Sequence, residues 1–297
     1  MNRTATSTRV GDAPQPSQTK SFSTIFLIEM WERFGYYGMA ALLVLFMVQK
    51  LGYDDDKANL TWGAFTALVY AAPAIGGWIG DKVLGARRSM TIGATILAAG
   101  YLLLSVPSDN LALLYGALGV IVVGNGLFKS NAANLVRRIY EGDDAKIDSA
   151  FTLYYMAVNI GSTFSMLATP IVAAKWGWHA AFAVCCAGMV LGLLNYALMR
   201  RTLDHVGSVP DDAPINWGKL GLVLGTGVLL VFAVSFVLQH GAIARALVWL
   251  AGAVILAIFG YLIAKSGPGE RSGLVVALIL TIETILFFIF YSRCRRR

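Results

Sequence analysis

Charge is what this sequence has least of. Only 14% of its 297 residues are Asp, Glu, Lys or Arg, where an ordinary soluble domain carries about a quarter. With 57% hydrophobic residues and many long apolar runs, the shortage excludes a single soluble globule and points to a polytopic membrane protein. Cysteine is equally sparse. Cys185 and Cys186 are adjacent in an apolar run and Cys294 lies near the end, so neither a disulfide framework nor a Cys metal spacing is expected. His179, His205 and His240 are far apart in sequence, which leaves a metal cluster without support. No H-E-x-x-H, paired Asp or Ser/His arrangement stands out as catalytic, which disfavours an intramembrane enzyme. The formal net charge of +7 is read as a report on topology, with nucleic acid not expected as a partner. Lys129 follows Phe128 where a phosphate loop needs glycine, and no strand precedes it, so nucleotide binding is not expected either.

What the sequence does have is nine apolar segments. Each is near the roughly 20 residues needed to cross a bilayer. They fall at about 22–50, 59–80, 88–106, 111–136, 149–173, 178–200, 217–239, 244–264 and 272–291. Residues 1–21, rich in Ser, Thr, Pro and Gln, read as a disordered cytoplasmic tail, and the first apolar span is too long for a signal peptide. With the N-terminus inside, the inner connections hold fourteen Lys and Arg and the outer ones four. That bias favours a cytoplasmic N-terminus. The tail opposes it, since an outward ninth span would leave Arg293, Arg295, Arg296 and Arg297 outside. The expectation is therefore a longer protein truncated near Ser292; a natural nine-helix protein with a basic end is the alternative.

Charge inside a span is costly, about +2.5 to +3.5 kcal/mol for an acid or arginine at the helix centre on insertion scales. The first span nevertheless holds Glu29, Glu32 and Arg33. With Tyr36 and Tyr37 they fall at i, i+3, i+4, i+7 and i+8, one helical face. The expectation is a helix lining a water-filled cavity within a bundle. The fourth span holds Gly124-Asn125-Gly126-Leu-Phe-Lys129-Ser130-Asn131. Lys129 either snorkels to the interface or pairs with Glu29 or Glu32, which would offset both costs. In the fifth span Tyr155, Asn159, Ser162 and Thr163 share a face, and the second span offers Tyr70 one turn before Pro73. These groups either line the same cavity or bond between helices. At the inner end of the second span, Gly76-Gly-Trp-Ile-Gly80-Asp81-Lys82-Val-Leu-Gly85-Ala-Arg87-Arg88 combines glycines for close helix approach with a basic loop that fixes topology.

That last spacing resembles the loop between helices two and three of the major facilitator superfamily, which implies gating roles for Asp81, Arg87 and Arg88. Glu29-x-x-Glu32-Arg33-Phe34-x-Tyr36-Tyr37-Gly38 resembles the first-helix motif of the proton-dependent oligopeptide transporters of that superfamily. The Lys129 stretch resembles their fourth helix, and Tyr154-Tyr155-Met156 through Gly161 their fifth. The resemblance runs from about residue 22 to 291 and is to bacterial members. It implies an all-α polytopic fold: a six-helix N-terminal half over 22–200, a cytoplasmic linker over 201–216, two inserted helices over 217–266, and a seventh core helix with an aberrant basic tail over 267–297. The implied activity is symport of di- and tripeptides across the bacterial inner membrane, with protons as the coupling ion and no cofactor or metal. Glu29, Glu32 and Lys129 would couple protons, and Arg33 and Lys129 would hold the peptide carboxylate. Tyr36, Tyr37, Tyr70 and Asn159 would line the peptide site, with Tyr37 near Lys129. The second half, the other cavity wall, would have to come from a complementary C-terminal half. Without it little or no coupled transport is expected, and the competing reading is an inert or scaffolding membrane fragment.

Overall fold

The computed structural model describes residues 17–294, the side chains of 144, 248, 268 and 287–294 excepted. Among the described residues there are nine long α-helices: α1 (Gln18–Gln49), α2 (Asp55–Ile79), α3 (Ala86–Ser105), α4 (Leu111–Ile139), α5 (Asp144–Trp176), α6 (Trp178–Met199), α7 (Trp217–Gln239), α8 (Gly241–Lys265) and α9 (Pro268–Cys294). No strand occurs among the described residues. The fold is the all-α, multi-pass membrane architecture that the apolar segments imply. Seven of these helices, α2 to α8, are long and apolar enough to cross a bilayer by length and composition. At 32 residues, α1 has the length as well. Glu29, Glu32 and Arg33 in its middle are what lower its hydropathy.

The chain divides into two compact units, Met1–Gly241 and Ala242–Arg297. In the first, α1 packs against α5 and α6, α4 is flanked by α2 and α3, and α3 reaches α6. The compact division falls inside 217–266, because α7 packs onto α4. A Cβ on Gly119 would stand 2.8 Å from Val231 O, and Ser235 Oγ donates to Tyr115 O at 3.0 Å. Most of the second unit is α8 and α9.

Close approach at small residues sets which faces meet. A side chain at Gly76 would run into the backbone of Gly126, and one at Gly161 into Met30 O. Neither clash has a flexible side-chain end to yield, so both positions require glycine for backbone contact. α4 then ties itself to α2 with polar groups: Ser130 Oγ donates to Pro73 O at 2.9 Å, and Asn131 Nδ2 to Gly76 O at 2.9 Å. Such bonds satisfy carbonyls that lipid could not.

Three features mark the helix ends. First, α1 begins at Gln18, inside the expected 1–21 tail, because the turn after α6 docks there. Ser21 Oγ donates to Thr202 O at 2.6 Å, and the Thr24 and Thr202 hydroxyls meet at 2.8 Å. The rest of that tail, with Arg3 and Arg9, and the basic end Arg295–Arg297 lie outside the described residues. Second, α2 and α3 are not joined by a free loop. A π-helical turn, Gly80–Leu84, continues α2, and Gly85 alone, at φ +101°, turns the chain into α3. Third, the 201–216 connection is ordered. It contains short 3-10 turns at Arg200–Leu203 and Val209–Asp211, and Leu203, Val206, Ser208 and Asp211 are buried. At the start of α5, Asp143 caps the helix. The Lys146 ammonium bonded to it at 2.7 Å holds its carboxyl below the usual carboxylate range.

Candidate functional site: a charged cluster between three helices

The costly residues of the first span find one another's countercharges. Glu29 and Glu32 are fully buried on α1. Lys129 reaches across from α4, its Nζ 2.9 Å from Glu29 Oε1. Arg33 Nε pairs closely with Glu32 Oε2 and lies 3.4 Å from Glu29 Oε1. Tyr154 of α5 donates its hydroxyl to Glu29 Oε2 at 2.6 Å. Asn125 of α4, one turn before Lys129, points its amide at Glu32 Oε1 over a longer 3.5 Å. With all four groups ionised, two negative and two positive charges cancel inside the bundle. A charge pair taken out of water is tolerable only when its remaining lone pairs and protons are also met, and Tyr154 and Asn125 do that for the carboxylates.

The cavity-lining stripe expected on α1 needs correcting here. Glu29 and Glu32 do not line open space. They are sealed behind Lys129 by α4 and α5, because a carboxylate already satisfied by a cation and a hydroxyl gains nothing from exposure. Lys129 is the member at the rim, its side chain 33% exposed. Tyr36 is buried, with the Arg33 guanidinium 5.1 Å over its ring, and Tyr37 stands edge-on to it at 5.4 Å, half-buried. Tyr70 is 73% exposed, Tyr155 68%, and Asn159 is exposed with its amide donating to Tyr155 O at 2.9 Å. Tyr70, Tyr155 and Asn159 are thus open polar groups, separate from the closed charge cluster. Arg33 Nη2 is buried and makes no hydrogen bond among the described residues.

Tyr154 went unassigned as a site residue because its neighbour Tyr155 looks identical in sequence. Gly161, two turns later on the same face, was the available signal. The close contact of Gly161 with Met30 fixes the rotation of α5 and so sends Tyr154, not Tyr155, toward Glu29.

The three residues expected as one gate divide into two groups. Asp81 accepts from Asn134 Nδ2 at 2.8 Å and lies 3.4 Å from Arg138 Nη2, both on α4. Arg87 and Arg88 turn instead to the 201–216 connection. Arg87 Nη1 donates to Leu203 O and Asp204 O at 2.9 and 2.8 Å. Arg88 donates to Pro210 O at 2.9 Å and Ala213 O at 2.6 Å. In return the connection caps α3. The Asp211 carboxylate accepts from the backbone N–H of Arg87 at 3.2 Å and of Arg88 at 3.4 Å. Ser208 Oγ accepts from Ala86 N at 2.8 Å while donating to Gly80 O at 2.7 Å. Helix N-terminal N–H groups otherwise lack partners, and here the cap comes from a segment more than 120 residues away.

The sequence profile of the POT family matches residues 87–295. A dipeptide and tripeptide permease A from Pectobacterium carotovorum is 43% identical over 277 residues, 93% of this chain and 54% of its own length. The protein of that name from Escherichia coli is 42% identical over 276 residues, 93% of this chain and 55% of its own. The solved structure of a bacterial homologue of the human drug peptide transporters PepT1 and PepT2 superposes with a TM-score of 0.86 at 56% identity, over 93% of this chain and 60% of that one. The chain spans about half the length of the curated relatives it matches.

Proposed function

This chain belongs to the POT family, and from that premise we propose that it forms the proton-coupling and carboxylate-binding side of a di- and tripeptide symporter. The relatives' names support peptides as the substrate class. One observation carries the reading: a buried cluster with equal numbers of opposite charges and one cation at its rim. A peptide carboxylate arriving at Lys129 and the unused Nη2 of Arg33 adds a negative charge. A proton arriving on Glu29 or Glu32 removes one. Each event leaves the cluster unbalanced and the other restores the balance, so each favours the other. Such linkage is reciprocal, and reciprocity between proton and substrate is what a symporter needs.

In this reading Glu29, Glu32 and Lys129 couple protons, and Arg33 and Lys129 take the carboxylate. Tyr37, Tyr70 and Asn159 face the peptide, and the buried Tyr36 supports the site through the Arg33 guanidinium over its ring. Asp81, Arg87 and Arg88 hold the ends of α2, α3 and α4 through one of two states of alternating access. The Lys and Arg bias supports an inner-membrane orientation with the N-terminus in the cytoplasm. Alternating access needs a second wall, which a complementary C-terminal half would supply, and these 297 residues by themselves are not expected to accumulate peptide.

Dipeptide uptake into proteoliposomes under an imposed proton gradient tests this. The expected result is no accumulation with the chain alone and gradient-driven accumulation when the C-terminal portion of a relative is co-reconstituted. Accumulation by the chain alone would contradict the two-wall requirement. With both parts present, Glu32→Gln is expected to abolish accumulation; unchanged accumulation would remove Glu32 from the coupling role.

A further inference from the structure

Charge of one sign collects where α2, α3, α6 and α7 meet the 201–216 connection, away from the cluster described above. A cavity of about 970 Å³ opens there. Six cationic side chains line it against two carboxylates. The two carboxylates are already engaged, Asp204 and Asp211 lying 3.8 and 3.9 Å from Arg87. Arg88 is occupied by backbone carbonyls. Lys82, Arg200, Arg201 and Lys219 remain, all exposed and without an ion pair among the described residues. Topology alone accounts for cations in a loop, but it does not require four of them to line one concavity.

Two further features say what kind of anion fits. Trp217, at the first turn of α7 beside the cavity, is 75% exposed, the placement of an interfacial aromatic at headgroup depth. From Val83, which also lines the basic cavity, a second and apolar groove of about 380 Å³ runs between α2 and α7, with Trp78 on one side and Gly227 and Leu230 on the other. A phosphate-bearing head with an acyl chain matches both, and basic pockets between membrane helices bind such heads. We propose that this end of the bundle is a binding site for an anionic phospholipid, with its phosphate among Lys82, Arg200, Arg201 and Lys219 and one acyl chain along the α2–α7 groove.

Native mass spectrometry of the full chain released from detergent tests this, with phosphatidylglycerol and phosphatidylcholine of identical acyl chains supplied in equal amounts. The expected result is selective retention of phosphatidylglycerol, falling about fivefold for each cation lost in Lys82→Gln, Arg201→Gln and Lys219→Gln. Gly227→Phe fills the groove without altering any charge and is also expected to lower retention. It keeps the test decisive if the charge variants fail to insert. Equal retention of the two lipids, or retention unchanged in every variant, would overturn the site. Full displacement of the lipid by inorganic phosphate or glycerol 3-phosphate at matched concentration would reduce it to a soluble-anion site and overturn the lipid assignment.

Discussion

In mid-helix, Glu29, Glu32, Arg33 and Lys129 hold equal numbers of opposite charges against one another. At the basic end of the bundle, Arg87 and Arg88 direct most of their donors to backbone carbonyls, and Asp211 caps a helix. The two regions use charged side chains for different ends. In the first, Glu29, Glu32 and Arg33 are buried and each charge depends on a specific countercharge, so adding or removing one charge disturbs the whole set. In the second, backbone carbonyls and N–H groups take most of the load, and each contact is a local anchor. Under the proposed function the first would report the arrival of a proton or a carboxylate; the second holds helix ends together.

The largest effect is expected from unbalancing the core. Lys129→Met leaves Glu29 buried without its closest cation, and breaking a buried pair costs about 3–5 kcal/mol. Because Lys129 is one-third exposed, the lower end of that range applies. The double variant Lys129→Met/Glu29→Leu is expected to lose less than the single one in reversible unfolding from mixed micelles. A double variant worse than the single would show that the pair acts through packing, not through charge balance. Next comes Gly161→Leu, which forces α5 off Met30 and takes Tyr154 away from Glu29. Overpacking of this kind costs about 1–3 kcal/mol, and a silent substitution would break the account of how α5 is rotated.

At the basic end, Asp211→Ala is expected to cost about 1 kcal/mol, the ordinary loss for a helix N-cap. Amide exchange at Arg87 and Arg88 should quicken, and unchanged exchange would mean that α3 is capped by something else. The smallest effect belongs to the exposed pair Lys50–Asp109, 3.2 Å apart. Lys50→Gln should change stability by less than about 0.5 kcal/mol, and a larger loss would show that open charges here count for more than the comparison allows.

The two regions were also unequally legible in sequence. Glu29, Glu32, Arg33 and Lys129 announce themselves because charge in an apolar span is expensive and the α1 residues repeat at helical spacing. The spans themselves follow from apolar length alone. How the charges are enclosed was not legible. It depends on helix rotation, which is decided by backbone contacts such as Gly76 on Gly126 and Gly161 on Met30, between residues far apart in the chain. The 201–216 connection was hidden for another reason: its Asp, Pro and Ser composition is that of any polar loop. Ser208-Val-Pro-Asp211 does carry the Ser-x-x-Asp spacing of a capping box. Nothing local reveals that the same two side chains also cap α3.

The central claim is that proton and carboxylate compensate each other in one buried cluster. Calorimetry of dipeptide binding to the chain assembled with a C-terminal half, in buffers of differing ionisation enthalpy, measures this directly. Net proton uptake on binding would appear as a binding enthalpy that depends on the buffer. The account predicts that dependence for the native sequence and its loss in Glu29→Gln/Glu32→Gln. Binding without any dependence on the buffer, or a dependence that survives in the double variant, would contradict it.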